Sequence, residues 1–340
     1  MRFLQSSGLL LGLAGAVLVT NSAQAGCTLE TVATLPAKID NGRVFIPGTM
    51  DGHKVDYMVD LAAQTMLLRI AAERFTIKPD NFGSLDKTAT FGEPGPDQLV
   101  IEHLPLRVGG TSENFGAPQE VALLGMDFFG QFDTEFDVQH GKIILYKPTS
   151  CEGAKLAYWP GPSTVADMVS NAGPHLTVPP YTSYNFPHIN IRLKVAGQDM
   201  VAALDTGYSQ SSLSLGAAHT VGLIVGGDGM SETEPTVDVA DGFTTPTWVG
   251  PVDSVALGDE TTRDARLRFR SFIVPPGAAQ PRIGTTVRPS RYHGDDMVLG
   301  ADFLIAHRVF LSQSQTKVYF SPAEGVEFLG GLPVVTAQAY

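Results

Sequence analysis

Short stretches of alternating apolar and polar residues, broken by glycine and proline, recur from one end of the chain to the other. In "RVFIPGTMDGHKVDYMVDLAAQTMLL" (43–68) the alternation reverses at Gly52, and in "HINIRLKVAGQDMVAALDTGYSQSSL" (188–213) it reverses at Gly197. A period of two around a glycine-centred turn predicts a strand, a turn and a second strand, here ending each time at an aspartate. Two further stretches, "ALLGMDFFGQFDTEFDVQHGKIILYKP" (122–148) and "MVLGADFLIAHRVFLSQSQTKVYFSP" (297–322), each open on aliphatic-Leu-Gly and continue to x-Asp-Phe. Both close as an alternating hairpin with an aromatic residue and a proline. "LPLRVGG" (104–110) and "DSVALGD" (253–259) read as short apolar strands closing on glycine. Helix is limited to short turns after Gly125 and Gly300, so the class is all-β.

The stretches come in matched pairs, so the chain is a tandem repeat. Laid together without a gap, Ile46 meets Ile191, Gly52 meets Gly197, Asp60 meets Asp205 and Leu68 meets Leu213. The expected organisation is an N-terminal lobe (26–150), a Pro/Gly-rich connector (151–182), a C-terminal lobe (183–322) and a tail (323–340). The tail is either an extra edge strand or a loose end. Asp60 to Gly125 is 65 residues while Asp205 to Gly300 is 95, and most of the surplus falls after Gly258. An insertion is therefore assigned to 259–294, where seven arginines stand in an otherwise acidic protein. They read either as a solvated hairpin paired with carboxylates or as a basic lip beside a cleft that favours carboxylate-bearing substrates.

Composition narrows the class. Apolar residues make up 43% of the 340-residue chain and charged residues 17%, the profile of a globular protein. Residues 1–25 stand apart: Arg2, then an apolar "GLLLGLAGAVLVT" (8–20), then an Ala23-x-Ala25 cleavage pattern. This reads as a cleaved secretory signal, the apolar run being too short to span a bilayer; a lipoprotein reading through Cys27 meets Gln24 where an aliphatic residue is preferred. The expected location is periplasmic or secreted, with no membrane association after cleavage. The formal charge of −12 argues against nucleic acid as a partner. In an exported protein the two cysteines, Cys27 and Cys151, are expected to form a disulfide, with two buried free thiols as the alternative.

Chemistry concentrates at Asp205-Thr206-Gly207. "ALDTG" after an apolar strand, with "VLGADFL" downstream, resembles a retropepsin-like aspartic protease domain, and the first repeat resembles the same unit through Val59-Asp60 and Leu123-Leu124-Gly125. The resemblance covers roughly residues 43–148 and 186–322. It implies two tandem retropepsin-like (acid protease) β-barrel lobes with a pepsin-like cleft between them. It further implies an aspartic endopeptidase whose Asp60 and Asp205 carboxylates share one proton and one water. No cofactor is expected, and the partner is a peptide or protein substrate. A monomer is expected; a homodimer pairing Asp205 of two chains is the alternative.

The first repeat departs from the pattern, reading Asp60-Leu61-Ala62. Thr206, by the resemblance, bonds across the interface to the opposite loop's backbone, and Leu61 cannot return that contact. Gly207 lets the chain turn beside the carboxylate, whereas Ala62 disfavours a positive φ. Asp60 is therefore either the second catalytic carboxylate or a strand-end aspartate capping a turn. A second class of function stays open, a catalytically impaired, protease-derived peptide-binding or scaffold protein. His188 and His293 are weaker candidates near the cleft. Asp127 and Asp302 are expected to cap the short helices, and Phe128, Phe129 and Phe303 to lie in the core. Flaps are expected near 82–100 and 228–248, with "FGEPGPDQ" (91–98) as a flap tip.

Overall fold

The structure is a computed structural model and describes residues 26–78, 84–92, 98–109, 121–169, 189–237, 244–272, 296–331 and 333–335. The signal segment, His188, His293 and most of 273–294 lie outside the described residues. The first lobe contains β1 (Thr28–Pro36), β2 (Lys38–Asp40), β3 (Arg43–Met50), β4 (His53–Val59), β5 (Met66–Leu68), α1 (Arg69–Arg74), β6 (Ser84–Phe91), β7 (Leu99–Gly109), β8 (Val121–Leu124), α2 (Met126–Phe129), β9 (Asp133–Asp137) and β10 (Lys142–Thr149). After β11 (Thr164–Val169) the second lobe contains β12 (Asn190–Val195), β13 (Gln198–Leu204), β14 (Ser212–Ser214), α3 (Leu215–Thr220), β15 (Ser231–Val237), β16 (Thr244–Leu257), β17 (Glu260–Arg270), β18 (Met297–Leu299), α4 (Ala301–Ala306), β19 (His307–Ser312), β20 (Lys317–Pro322) and β21 (Pro333–Val335). The fold is all-β as the alternation requires. Helices α1 and α3, beyond the two expected, each follow the short strand after an aspartate.

The hairpins form where sequence places them. β3 and β4 join through Asp51-Gly52 (φ 47° and 81°), β12 and β13 through Ala196-Gly197 (φ 46° and 78°). Two consecutive left-handed residues match the strand twist, and glycine at the second position removes most of the cost. β4 then runs parallel to β8, Val59 opposite Leu124, and β13 parallel to β18, Leu204 opposite Leu299. The aliphatic-aliphatic-Gly strands thus lie beside the strands that end at Asp60 and Asp205.

One difference from the ungapped superposition appears just beyond those aspartates. Met66 pairs with Leu123 as Ser212 pairs with Val298, and α1 follows Leu68 as α3 follows Ser214. Leu68 therefore corresponds to Ser214, not Leu213: the loop after Asp205 is one residue longer than the loop after Asp60. β17 runs parallel to β14 (Ser212 opposite Arg268) as β7 runs parallel to β5 (Met66 opposite Arg107). Glu260–Arg270 is therefore the counterpart of β7 rather than inserted sequence. The surplus of the second lobe includes β15 and the first half of β16.

The two lobes are joined by an antiparallel ladder, β1-β10-β9-β19-β20-β11. β11 lies within the stretch read as connector. At the middle of this ladder Glu135, fully buried, accepts from Arg308 Nε at 2.7 Å, Tyr158 Oη at 2.8 Å and Tyr146 Oη at 3.1 Å. A buried carboxylate is tolerated only when its charge and lone pairs are met, and Arg308, from the other repeat, supplies the charge. The tail resolves as an edge strand, β21 pairing with β17 through Glu260 and Val335. Phe128, Phe129 and Phe303 are buried in the main core.

Cys27 and Cys151 form a disulfide that closes a stretch of 124 residues and ties the start of β1 to the end of β10. Constraining so long a loop acts mainly on the unfolded chain. The double substitution Cys27→Ser, Cys151→Ser is expected to lower the unfolding free energy by about 2–5 kcal/mol in urea titration, with the native secondary structure retained.

Candidate active site

Asp60 and Asp205 leave their strands in the same way. Asp60 N–H donates to Leu124 O at 3.0 Å and Asp205 N–H to Leu299 O at 2.9 Å. Each carboxylate then accepts from the backbone two residues on, Ala62 N at 3.1 Å and Gly207 N at 3.2 Å. Asp60-Leu61-Ala62 thus folds into the same loop as Asp205-Thr206-Gly207 despite the two substitutions. Gly207 and Ala62 both lie outside the positive-φ region among the described residues, so backbone conformation does not explain the glycine.

Space explains it. A methyl group on Gly207 would stand 2.5 Å from Asp60 Oδ2, 2.9 Å from Asp60 Cγ and 3.2 Å from Asp205 Oδ1. Both carboxylates converge on one small volume beside the Gly207 backbone, and each residue is only 5% exposed. Leu61 is fully buried and packs into the main core. Asp60 does cap its own turn, as the sequence alternative had it, through Oδ1 and Ala62 N–H, while its Oδ2 lies beside Gly207.

The lobes meet through Thr206. Its hydroxyl donates to Val59 O at 2.8 Å and accepts from Leu61 N–H at 3.1 Å, spanning the residues on either side of Asp60. Leu61 has no hydroxyl to make the reciprocal pair of bonds. A different residue reaches back in its stead: Arg43, at the head of β3, donates from Nε to Gly207 O at 3.2 Å. Burial lowers the Arg43 pKa, while the nearby Asp60 charge pulls it back up.

Behind the aspartates a second symmetric set of bonds fixes the loops. Thr65 Oγ1 donates to Asp127 Oδ1 at 2.7 Å and accepts from Gly125 N–H at 3.1 Å. Ser211 Oγ donates to Asp302 Oδ1 at 2.7 Å and accepts from Gly300 N–H at 3.0 Å. Asp127 and Asp302 stand one position past the first helical residue, the N-cap positions being Gly125 and Gly300, and Asp302 Oδ1 accepts from Phe303 N–H of the first turn at 3.0 Å as expected. Both carboxylates also hold the hydroxyl of the facing loop. Gly125 and Gly300 are required for close approach, since a methyl on either would meet loop backbone at 2.3 Å (Ala63 O) or 2.7 Å (Gln210 C). Burial raises the Asp302 pKa against the hydrogen bonds from Ser211.

Above the second loop stands the β15–β16 hairpin, whose turn lies outside the described residues. Thr233, Glu234 and Thr236 of β15 line one cavity with Arg43, Tyr208 and Arg268, in agreement with a flap near 228–248. The first lobe differs. The β6–β7 turn that contains "FGEPGPDQ" is at the end of β7 away from Arg107, the residue that pairs beside the Asp60 loop. Leu99 and Arg107 are eight positions apart, about 26 Å of extended chain, so the paired residues Phe91 and Leu99 stand away from the Asp60 loop. Residues 93–97 themselves lie outside the described residues.

Sequence reading missed Arg43, Tyr208, Thr65 and Ser211, while Arg268 and Arg270 are two of the seven arginines read either as a solvated hairpin or as a basic lip. Thr65 and Ser211 carried a signal, a hydroxyl in each repeat after the aspartate, hidden by the one-residue length difference. Arg43 carried none, because its role depends on the opposite lobe.

Thr206→Val removes both bridging bonds and leaves Val59 C=O and Leu61 N–H buried without them. The expected loss is about 1–3 kcal/mol of stability by urea unfolding, with Thr206→Ser close to wild type. Asp302 gives a pH test. Above about pH 4 the unfolded chain ionises this carboxyl while the folded chain still holds the proton. Stability from this group therefore falls as pH rises through the window between the two pKa values. Asp302→Asn, which cannot ionise, is expected to lose less stability than wild type across that rise.

No family model matches the chain, and no curated protein matches it. Among solved structures, basic 7S globulin from soybean superposes with a TM-score of 0.43 at 11% identity, covering 87% of this chain and 96% of that one. The structure of edgp gives 0.42 at 9% identity, covering 86% and 94%. A retropepsin-like aspartic protease from Rickettsia conorii gives 0.25 at 16% identity, covering 36% of this chain and 96% of that one. Likenesses this distant carry no argument about the site, which stands on the contacts described above.

Proposed function

We propose that the chain is an aspartic-type endopeptidase in which Asp60 and Asp205 form an intrachain pair. The observation that carries this reading is the convergence of the two carboxylates beside Gly207, with the Thr206 hydroxyl clamping the Asp60 loop. Two carboxylates so placed cannot both ionise readily, so they share a proton near neutral or acid pH. Attraction to the Arg43 guanidinium favours the negative charge on Asp60, which makes Asp60 the base and Asp205 the acid. Asp60 takes a proton from a water, whose oxygen bonds to the peptide carbonyl carbon, while Asp205 passes its proton to the carbonyl oxygen. Collapse of that intermediate breaks the C–N bond; the nitrogen takes the proton held on Asp60, and a hydroxyl proton returns to Asp205. The pair ends as it began.

The substrate in this reading is a peptide or protein chain lying between β15 and the dyad. The disulfide fits an exported protein, periplasmic or secreted, acting as a monomer with lobes bounded at about 26–150 and 183–322. A second reading has its own support: Leu61 supplies no reciprocal hydroxyl, and Ala62 stands where the other loop has glycine. That asymmetry suits a peptide-binding protein with impaired catalysis.

Peptide-library hydrolysis from pH 3 to 7, about the carboxylate range, separates the two. Activity blocked by a statine-type inhibitor and abolished by both Asp205→Asn and Asp60→Asn is the expected result. Full activity in Asp60→Asn would sink the intrachain pair, and rates that rise more steeply than protein concentration would favour a homodimer. Ala62→Gly, which gives the first loop the glycine of the second, is expected to raise kcat several-fold.

A further inference from the structure

The cavity beside the dyad has an unusual wall for so acidic a protein. It encloses about 420 Å³ between the Tyr208 loop and β15, with Arg43 and Arg268 both on its lining. Arg268 is aimed by its neighbours: Nη2 donates to Glu234 O at 2.7 Å and Nη1 to Thr233 Oγ1 at 3.4 Å. Two residues along the same face, Arg270 is 4% exposed and held between the rings of Tyr208 and Phe272, 4.3 and 4.7 Å from their centroids. Its Nη2 is buried with no hydrogen-bond partner. Among the described residues neither Arg268 nor Arg270 forms an ion pair. The negative groups nearby are Glu234 on the lining, Asp302 behind Arg268, and the dyad itself. Desolvation lowers the pKa of Arg268, with Arg270 adding to it. A half-buried guanidinium such as Arg268, backed by the buried Arg270 and with no ion pair among the described residues, is a site for a planar anion.

We propose that this cavity is a carboxylate subsite, taking the negatively charged group of a peptide bound beside the dyad. The group is an Asp or Glu side chain, or a C-terminal carboxylate; two guanidinia and the Thr233 and Thr236 hydroxyls offer donors to either. The proposal rests on the peptidase reading for its substrate, but the binding chemistry stands apart from the cleavage. Arg268 is the diagnostic residue, because Arg43 also acts on Asp60 and its loss would change the dyad.

The test uses the full chain and synthetic peptides identical except for Glu or Gln at each position flanking the cut, each made as free acid and as C-terminal amide. Cleavage is expected to be about tenfold faster in kcat/KM for the carboxylate form at one position, the effect of one charge-assisted contact. The Glu/Gln arm and the acid/amide arm identify which carboxylate is read. The ratio is expected to fall towards one in Arg268→Gln, persist in Arg268→Lys, and shrink as salt is raised. Arg263→Gln, an exposed position on the same strand, is expected to keep the ratio, which excludes a general charge effect. Equal rates throughout, or a preference that survives Arg268→Gln, overturn the subsite and leave the peptidase reading intact. If no peptide is cleaved, the peptidase reading fails, and fluorescence-polarisation binding of the same peptides decides the subsite. Tighter binding of the carboxylate form with the same Arg268 dependence supports it; equal binding overturns it.

Discussion

Everything at the candidate site depends on one buried hydroxyl. Thr206 Oγ1 sits between Val59 O and Leu61 N–H, so a side chain from one repeat fixes the backbone on both sides of the aspartate in the other. Without it nothing in the local sequence of Asp60-Leu61-Ala62 would hold Asp60 opposite Asp205. A buried donor and acceptor satisfied by one hydroxyl also set a strict register between lobes, since a shift of one residue would leave three polar groups unmet. The longer-range ladder with Glu135 and Arg308 at its centre does the coarse alignment, and Thr206 completes it.

The loops themselves are made rigid from behind. Each lobe uses an aspartate after the aliphatic-aliphatic-Gly strand to hold a hydroxyl from the loop, and that hydroxyl receives the glycine N–H. Such a closed set is worth more than its separate bonds, because each member fixes the orientation of the next. Gly125 and Gly300 permit it only because they lack a side chain, the loop backbone passing where a Cβ would be. This explains why the downstream block is as strongly repeated as the aspartates.

Much of this was legible in the chain because duplication amplifies weak signals. A period of two and glycine-centred turns are enough to place strands, and two copies of aliphatic-Leu-Gly-x-Asp-Phe are enough to pair each aspartate with its supporting strand. What stayed hidden has a common cause. The helix-capping expectation for Asp127 and Asp302 was incomplete because local rules see only the sequence neighbours: Asp302 does accept from Phe303 N–H, but the hydroxyls both carboxylates hold are those of Thr65 and Ser211, 62 and 91 residues away. The expected flap tip at 91–98 falls mostly outside the described residues, and the strands that bracket it, β6 and β7, correspond to the later part of the β15–β16–β17 run. Arg43 was invisible because its partner, Gly207, belongs to the other repeat.

The two halves of the site are alike in backbone and unlike in surroundings, and the differences fall on one side. Asp60 has Arg43 within electrostatic reach and faces Gly207, where there is room for a carboxylate oxygen. Asp205 belongs to a loop one residue longer than that of Asp60. In a symmetric pair the shared proton has no preferred carboxylate and the roles of acid and base are set only when substrate binds. In the peptidase reading proposed above, attraction to Arg43 leaves the negative charge on Asp60 and the shared proton on Asp205 before substrate binds. In that reading, the motif without Thr and Gly carries the base and the motif with them carries the acid. The same arginine lies on the cavity that Arg268 also lines, so in that reading a charge bound there would be felt at the aspartate pair.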